Sequence, residues 1–274
     1  MSGISVITLT RYRPVEVKRA IMSVQQQTEP AAEHIVLVDG DHQIEQSVKA
    51  FIDFSSIERC KVHLIPRKLS DVSGPGRSSV LRNIGVQMAE NPWIAFLDDD
   101  NEWLPNHLSS LIALAHQSNS PAVYSEVALF TAEGEPYLEH RWPWAHTQEE
   151  GENKYRDYVE RGILIPGSNV IHDRPEVRDV PVDTSAWLLD RNLLLSVPFQ
   201  ETFSIDDAQT LTSEDDKLFY SLLKRGVRLA CTFKPTLVYY LGGYSNSRVT
   251  VRTDEVIEWS NLKQQIPVGE IYNE

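Results

Sequence analysis

An α/β fold, with a mainly parallel sheet flanked by helices in a single compact domain of two halves, is what this sequence predicts. Three observations predict it. Short apolar, β-branched runs alternate with helical periodicities over the first hundred residues. Those runs are mostly apolar and β-branched with little polar alternation, as strands buried on both faces are. Two of them run directly into acids, Asp39 and Asp98, and in an open α/β sheet the carboxyl ends of the strands are where ligands bind.

Taken in order, Ile4 to Thr10 (ISVITLT) is a buried strand. Pro14 suits the first turn of a helix running to Gln27, with Val17, Ala20, Ile21 and Val24 at helical spacing. His34 to Val38 is a second strand, ending in Asp39-Gly40-Asp41. A helix over 44–54, a strand from Lys61 to Ile65 and a helix from Ser78 to Ala89 follow, with Gly74-Pro75-Gly76 read as a turn. Pro92 to Leu97 leads a further strand into Asp98-Asp99-Asp100-Asn101. Beyond it the rhythm changes. Pro105 to Gln117 predicts a helix, Ala122 to Thr131 a strand, and Arg141 to Thr184 a long polar and aromatic loop, a kind often functional. Ser185 to Asp190 and Leu193 to Val197 are apolar again. Ser213 to Arg225 predicts a helix with acids in its first turn and Gly226 after its last. Strands are expected at Arg228 to Thr232 and Thr236 to Leu241, then an irregular tail with a possible helix over 254–265.

With 274 residues, 41% hydrophobic and 24% charged, the chain is of ordinary globular composition. Its net charge of −13 and lack of a basic block argue against nucleic acid or an anionic membrane as the main partner. A phosphorylated small molecule needs only one or two local cations and stays open. Cys60 and Cys231 lie in no paired motif and are expected to be ordinary thiols, one disulfide being conceivable. The N-terminus runs straight into a strand, unlike a signal peptide, and no apolar run nears the ~18–20 residues that span a bilayer. A soluble, cytoplasmic protein without a transmembrane segment is expected.

Three consecutive carboxylates at a strand end repel one another and resist burial. A divalent cation removes that cost: Mg²⁺ or Mn²⁺ takes one or two carboxylates plus phosphate oxygens of a substrate. A solvated acidic loop, or a cap before Trp103-Leu104-Pro105, is the plainer alternative. The Gly-x-Gly-x-x-Gly fingerprint and the Walker-type lysine loop are both absent, which disfavours a dehydrogenase or P-loop NTPase.

Six stretches together resemble the family 2 glycosyltransferases, which are inverting, metal-dependent, nucleotide-sugar-using enzymes of GT-A fold. Ser5 to Pro14 is similar to that family's "SVIIPTYNRP", Ala20 to Thr28 to "ALxSVLxQT", His34 to Gly40 to "EIIVVDDGS" and Leu81 to Val86 to "ARNxGI". Phe96 to Pro105 (FLDDDNEWLP) resembles "FLDxDDxWLP", the DxD motif, and Glu214 through Gly226 resembles "EDxxLxxRLxxxG". The resemblance covers about residues 4–240. It implies a nucleotide-sugar-binding half over 1–101, an acceptor-binding half over 102–241 and a C-terminal lid or tail over 242–274.

The resemblance also implies roles. Asp39 contacts the base of the nucleotide, or, read locally, caps a turn before Gly40. Thr8 and Thr10 lie on the wall facing base and ribose, and Arg11 is among the donor-binding residues. Arg82 meets the pyrophosphate or base, unless it is a surface helix cation. Asp98 and Asp99 contact the donor, and Asp100 with Asp98 holds Mn²⁺ or Mg²⁺. Asp215 is the general base that takes the acceptor's hydroxyl proton, with Glu214 orienting the acceptor or a loop; both could instead serve only the helix N-terminus. Two departures stand out. Asn101 replaces a frequent Asp, and the C-terminal "YRxHxxS" histidine is missing, where Tyr244, Ser245 or Arg248 would take over. Trp142, Trp144 and Trp187 are core aromatics or sugar platforms, while His140, His146 and His172 lack metal-ligand spacing.

The implied activity is a hexosyl-type transfer, UDP-sugar being the expected donor, to a hydroxyl on a glycan, lipid-linked sugar or small molecule, as in polysaccharide biosynthesis. The rivals are a nucleotidyltransferase, for which Thr10-Arg11-Tyr12-Arg13 makes a poor phosphate loop, and a non-catalytic sugar-nucleotide or glycan-binding module.

Overall fold

Strand β1 (Ile4–Thr10) is buried along nearly its whole length; it leads into α1 (Pro14–Gln25), and α3 (Pro75–Met88) packs against it. The computed structural model describes residues 3–243 apart from 12, 53–56, 58, 69–70, 72–73 and 175–179. Pro14 opens α1 at its first position, and Val17, Ala20, Ile21 and Val24 face inward as the periodicity requires. Strand β2 (Glu33–Gly40) is buried at every residue. Asp41 then caps α2 (His42–Phe51), accepting from the Gln43 and Ile44 N–H groups at 2.9 and 3.0 Å. Strand β3 (Cys60–Pro66) follows. Helix α3 begins three residues before the expected Ser78, because Gly74, at φ +60°, turns the chain so that Pro75 becomes the first helical residue. Gly85 on α3 lies against Ile7 of β1, where an added Cβ would come within 2.7 Å of the Ile7 side chain.

Strand β4 (Trp93–Phe96) completes a parallel set with β1, β2 and β3. The second half is β5 (Glu102–Trp103), α4 (His107–Ser118), β6 (Ala122–Phe130), α5 (Gln148–Glu160), β7 (Val170–Ile171), β8 (Trp187–Asp190), α6 (Arg191–Ser196), α7 (Ile205–Gln209), α8 (Glu214–Lys224) and β9 (Leu229–Tyr240). One nine-stranded sheet runs in the order β3-β2-β1-β4-β8-β6-β9-β5, with β7 on β6. The α/β class and the flanking helices are as expected. The parallel part is β3-β2-β1-β4 together with β6-β9, and β8, β7 and β5 pair antiparallel.

Two expectations are corrected, and a third falls where nothing tests it. The stretch from Arg141 to Thr184 is not a bare loop: Thr147 caps α5, accepting from the Glu150 N–H at 3.1 Å. Only Gly151 and Tyr158 of α5 are buried, so the helix carries no apolar stripe to read. The two C-terminal strands are one, β9, which passes Pro235 by a bulge with Phe233 at φ +53° and register shifts against β6. The 254–265 helix, and with it Tyr244, Ser245 and Arg248, lies outside the described residues.

The main core runs through both halves. Phe96 of β4 meets Phe199 edge-on at 5.3 Å between ring centres, and Trp187 of β8 packs on Tyr124 of β6. Each such fully buried side chain is worth about 1.5–3 kcal/mol in transfer free energy.

Candidate active site

The parallel strands β1, β2 and β4 end on one edge of the sheet and deliver Thr10, Asp39 and Asp98 there. Because β8 is antiparallel to β4, its start lies at the same edge, bringing the 3-10 turn Thr184–Ala186 and its cap Asp183 beside the acids. The N-terminus of α8 adds Glu214 and Asp215.

Arg82 ties these parts together. Its Nη2 donates to Asp98 Oδ1 at 2.6 Å and its Nη1 to Glu214 Oε1. The guanidinium is 4% exposed, so the surface-cation alternative is excluded. Burial alone would lower its pKa, but Asp98 and Glu214 beside it outweigh that and raise it. Ser185 positions the strand end: its Oγ accepts the Asp98 N–H at 3.2 Å, while the Ser185 carbonyl accepts from Trp103 Nε1 at 2.8 Å.

Carboxyl groups outnumber cations here, and their proton affinities show it. Burial, and then the charge of Asp100, push Asp99 up to about 7. Asp100 is likewise raised, mainly by burial, against the opposing pull of Arg13. Asp183, which accepts the Ser185 N–H at 2.8 Å, is pushed up to about 7 by burial and by Asp98. Burial raises Glu214 too. Asp215 is raised well above the usual carboxylate range by burial, then by Asp216, Glu214 and Asp183. Asp216 itself accepts from the Ser213 N–H at 2.6 Å, closing the N-terminal turn. The helix therefore has a dedicated cap, and the Ser213 hydroxyl also lies against Asp215 Oδ1.

Asp39 is buried between two guanidinium groups. Arg77 Nε and Nη2 donate to Oδ1 at 2.9 and 2.6 Å, and Arg67 Nη1 donates to Oδ2 at 2.8 Å. It caps no turn; Asp41 does that. Thr10 is buried beside Asp99, whose proton affinity its hydroxyl lowers, and Arg11 follows half-buried. Thr8 is a correction. It sits two residues short of the strand end, fully buried, with Oγ1 bonded to His34 Nε2 at 2.9 Å, so it faces the core rather than a base or ribose. Burial drives the His34 imidazole down to about 3, leaving it neutral.

Asn101 is structural: its Oδ1 accepts the Tyr240 N–H at 3.2 Å and pins the acid turn to β9. Trp187 is wholly buried, with Nε1 donating to the Val182 carbonyl, and Trp142 is buried against Tyr158, so neither is an open platform. Trp144 stays half-buried, edge-on to Tyr239 at 5.3 Å. His140 stacks on Tyr155, His146 Nε2 bonds the Gln209 carbonyl, and His172 pairs with Glu126.

Sequence reading missed Asp183, Arg13, Arg67 and Arg77. Asp183 looks like the end of a loop, and only the antiparallel entry of β8 places it at the acids. Arg13 donates through Nη1 to Asp99 Oδ1 at 3.2 Å and Asp100 Oδ2 at 2.5 Å. Among the described residues no group of three His, Cys, Asp or Glu side chains forms a closed metal site. Asp98 and Asp100 are hard oxygen donors in an over-acidic setting. That set would suit a divalent cation completed by phosphate oxygens and water rather than an all-protein cage. Among the described residues no helix is long and apolar enough to cross a membrane, and Cys60 and Cys231 are free thiols.

Comparison with known proteins bears on this geometry. The sequence pattern described as glycosyl transferase family 2 matches residues 5–174. No curated protein matches the chain. Among solved structures it is similar to S. aureus TarS 1-349 in complex with UDP, with a TM-score of 0.56 and 18% identity over 89% of this chain and 62% of that one. It is also similar to TarS 1-349 in complex with UDP-GlcNAc, with a TM-score of 0.55 and 17% identity over 93% of this chain and 60% of that one. Against the longer TarS the TM-score is 0.53 and identity 14%, over 89% of this chain but 37% of that one. The chain thus spans less than two thirds of the length of these structural relatives, and at such identities the likeness is one of fold.

Proposed function

The chain belongs to glycosyl transferase family 2, and from that premise we propose that it moves a sugar from a nucleoside-diphosphate sugar, UDP-linked, to an acceptor hydroxyl with inversion. One observation carries the reading. Arg82 joins Asp98, from the strand end, to Glu214, from the N-terminus of α8, so donor-side and acceptor-side acids meet around one buried arginine. The fold shared with TarS in complex with UDP-GlcNAc supports a UDP-linked donor.

Asp39, held rigid by Arg67 and Arg77, marks the base end of the donor cleft, with Thr10 and Arg11 at its wall. Asp98 and Asp99 face the donor, and Asp98 with Asp100 would hold Mg²⁺ or Mn²⁺. When bound, that cation supplies Lewis-acid charge to the leaving diphosphate. Asp215, with its raised proton affinity, takes the proton of the attacking hydroxyl. The acceptor oxygen bonds to the anomeric carbon as the anomeric bond to phosphate breaks, and that electron pair leaves with the nucleoside diphosphate. Glu214, pinned by Arg82, orients the acceptor side. A glycan, a lipid-linked sugar or a small molecule each carries the hydroxyl this chemistry needs. We place the reaction in the cytoplasm, in keeping with the free thiols.

The test is nucleotide release from a panel of nucleoside-diphosphate sugars, with Mn²⁺ and with chelator, on wild type and Asp215→Asn. The expected result is cation-dependent release of one nucleotide, abolished by chelator. Asp215→Asn should lose about 10²–10⁴-fold in acceptor-dependent turnover with donor binding retained. If no donor is bound or consumed with the cation present, a non-catalytic binding module becomes the better description.

A further inference from the structure

The two guanidinium groups of the acid cluster are held in different ways. Arg82 is buried within α3 and engages Asp98 and Glu214 through separate nitrogens, so it cannot leave without stranding both. Arg13 is 34% exposed, precedes Pro14 outside the first turn of α1, and reaches both Asp99 and Asp100 through the single nitrogen Nη1. Arg19 holds the acid turn by its backbone and not by a carboxylate of that turn: Nη2 donates to the Asp100 carbonyl at 2.5 Å, and the guanidinium lies 3.8 Å over the Tyr240 ring. The Asp100 oxygen that Arg13 covers is also the one against which Gly243 packs, where an added Cβ would come within 2.6 Å. Backbone crowds that oxygen from one direction and Arg13 from another.

A guanidinium and a dication compete for one carboxylate group, because their charges repel. A half-buried arginine held through one nitrogen gives way more readily than one buried and bonded through two, and the guanidinium fork also matches phosphate oxygens. We infer that Arg13 is a displaceable counter-ion: it offsets part of the charge of Asp99 and Asp100 until a divalent cation takes Asp100, and then turns to the diphosphate of the donor. This rests on the proposed reading that Asp100 receives the cation.

The inference predicts effects of opposite sign from one substitution. Mn²⁺ binding, followed by electron paramagnetic resonance without nucleotide, should be about 3- to 10-fold tighter in Arg13→Gln than in wild type, and unchanged in Arg13→Lys. With Mn²⁺ saturating, UDP should bind Arg13→Gln about 3- to 10-fold more weakly. A merely structural role would weaken both. Arg13→Met, which keeps the aliphatic stem, replaces the glutamine variant if that one does not fold. Equal or weaker Mn²⁺ binding by the variant, with wild type binding normally, overturns the inference alone. If wild type takes up no Mn²⁺ even with UDP present, the metal-dependent donor reading fails and the inference falls with it.

Discussion

Asp215 is half-buried beside Asp216, Glu214 and Asp183, and after desolvation each of these neighbours adds to its proton affinity. A base must be ionised to work, so turnover should fall as pH drops through that raised value. The acid limb of a kcat-against-pH profile is expected well above the ordinary carboxylate range. A limb near pH 4 would remove Asp215 from the role. Asp183 makes a separate stability prediction. Its ordinary value is 3.8 and its folded value about 7, so the folded chain holds a proton that the unfolded chain has released. Folding takes up protons in that window, and the stabilising contribution is lost as pH rises from about 4 to about 7. Asp183→Asn keeps an acceptor for the Ser185 N–H and never ionises. Its Tm should exceed that of wild type at pH 8, by about 2–4 °C for each kcal/mol relieved, with the difference vanishing near pH 4. Taking the difference between the two proteins cancels the other titrating groups.

The elements show which local signals carry structure. Asp41 caps α2 by two backbone hydrogen bonds, and Asp41→Ala should cost about 0.5–2 kcal/mol in denaturant unfolding. Gly85 allows α3 to lie directly on β1. Gly85→Val would drive methyl groups into Ile7 and should cost about 1–3 kcal/mol by overpacking; an unchanged midpoint would show that the helix can lift at no cost. Elements with an apolar stripe or a β-branched run, such as α1, β1 and β2, were legible to within about two residues. Helix α5 was not, since a charged helix that buries little has no periodic signature. The single strand β9 was not legible either, because Pro235 reads as a break unless the bulge at Phe233 is known.

At the scale of the whole molecule, the sheet does not respect the boundary at residue 101. β8, from the second half, is hydrogen-bonded to β4 of the first, and one core passes beneath both. Unfolding should therefore be one cooperative transition, with far-ultraviolet dichroism and tryptophan fluorescence superimposing; two separated transitions would show halves that fold alone. By itself the sequence determined the alternation of strands and helices, the family resemblance and the acids at strand and helix ends, because those rest on periodicity and on motifs contiguous in the chain. Asp98, Glu214 and Asp215 were legible for that reason. Only the tertiary structure decided that Arg82 lies between Asp98 and Glu214, that Asp183 and Arg13 join the cluster, that Arg67 and Arg77 hold Asp39, and that Thr8 belongs to the core. Each of those facts depends on which strand enters beside which and in what direction. A local pattern carries no record of that, since pairing joins residues distant in the chain and is selected by burial of the whole sheet.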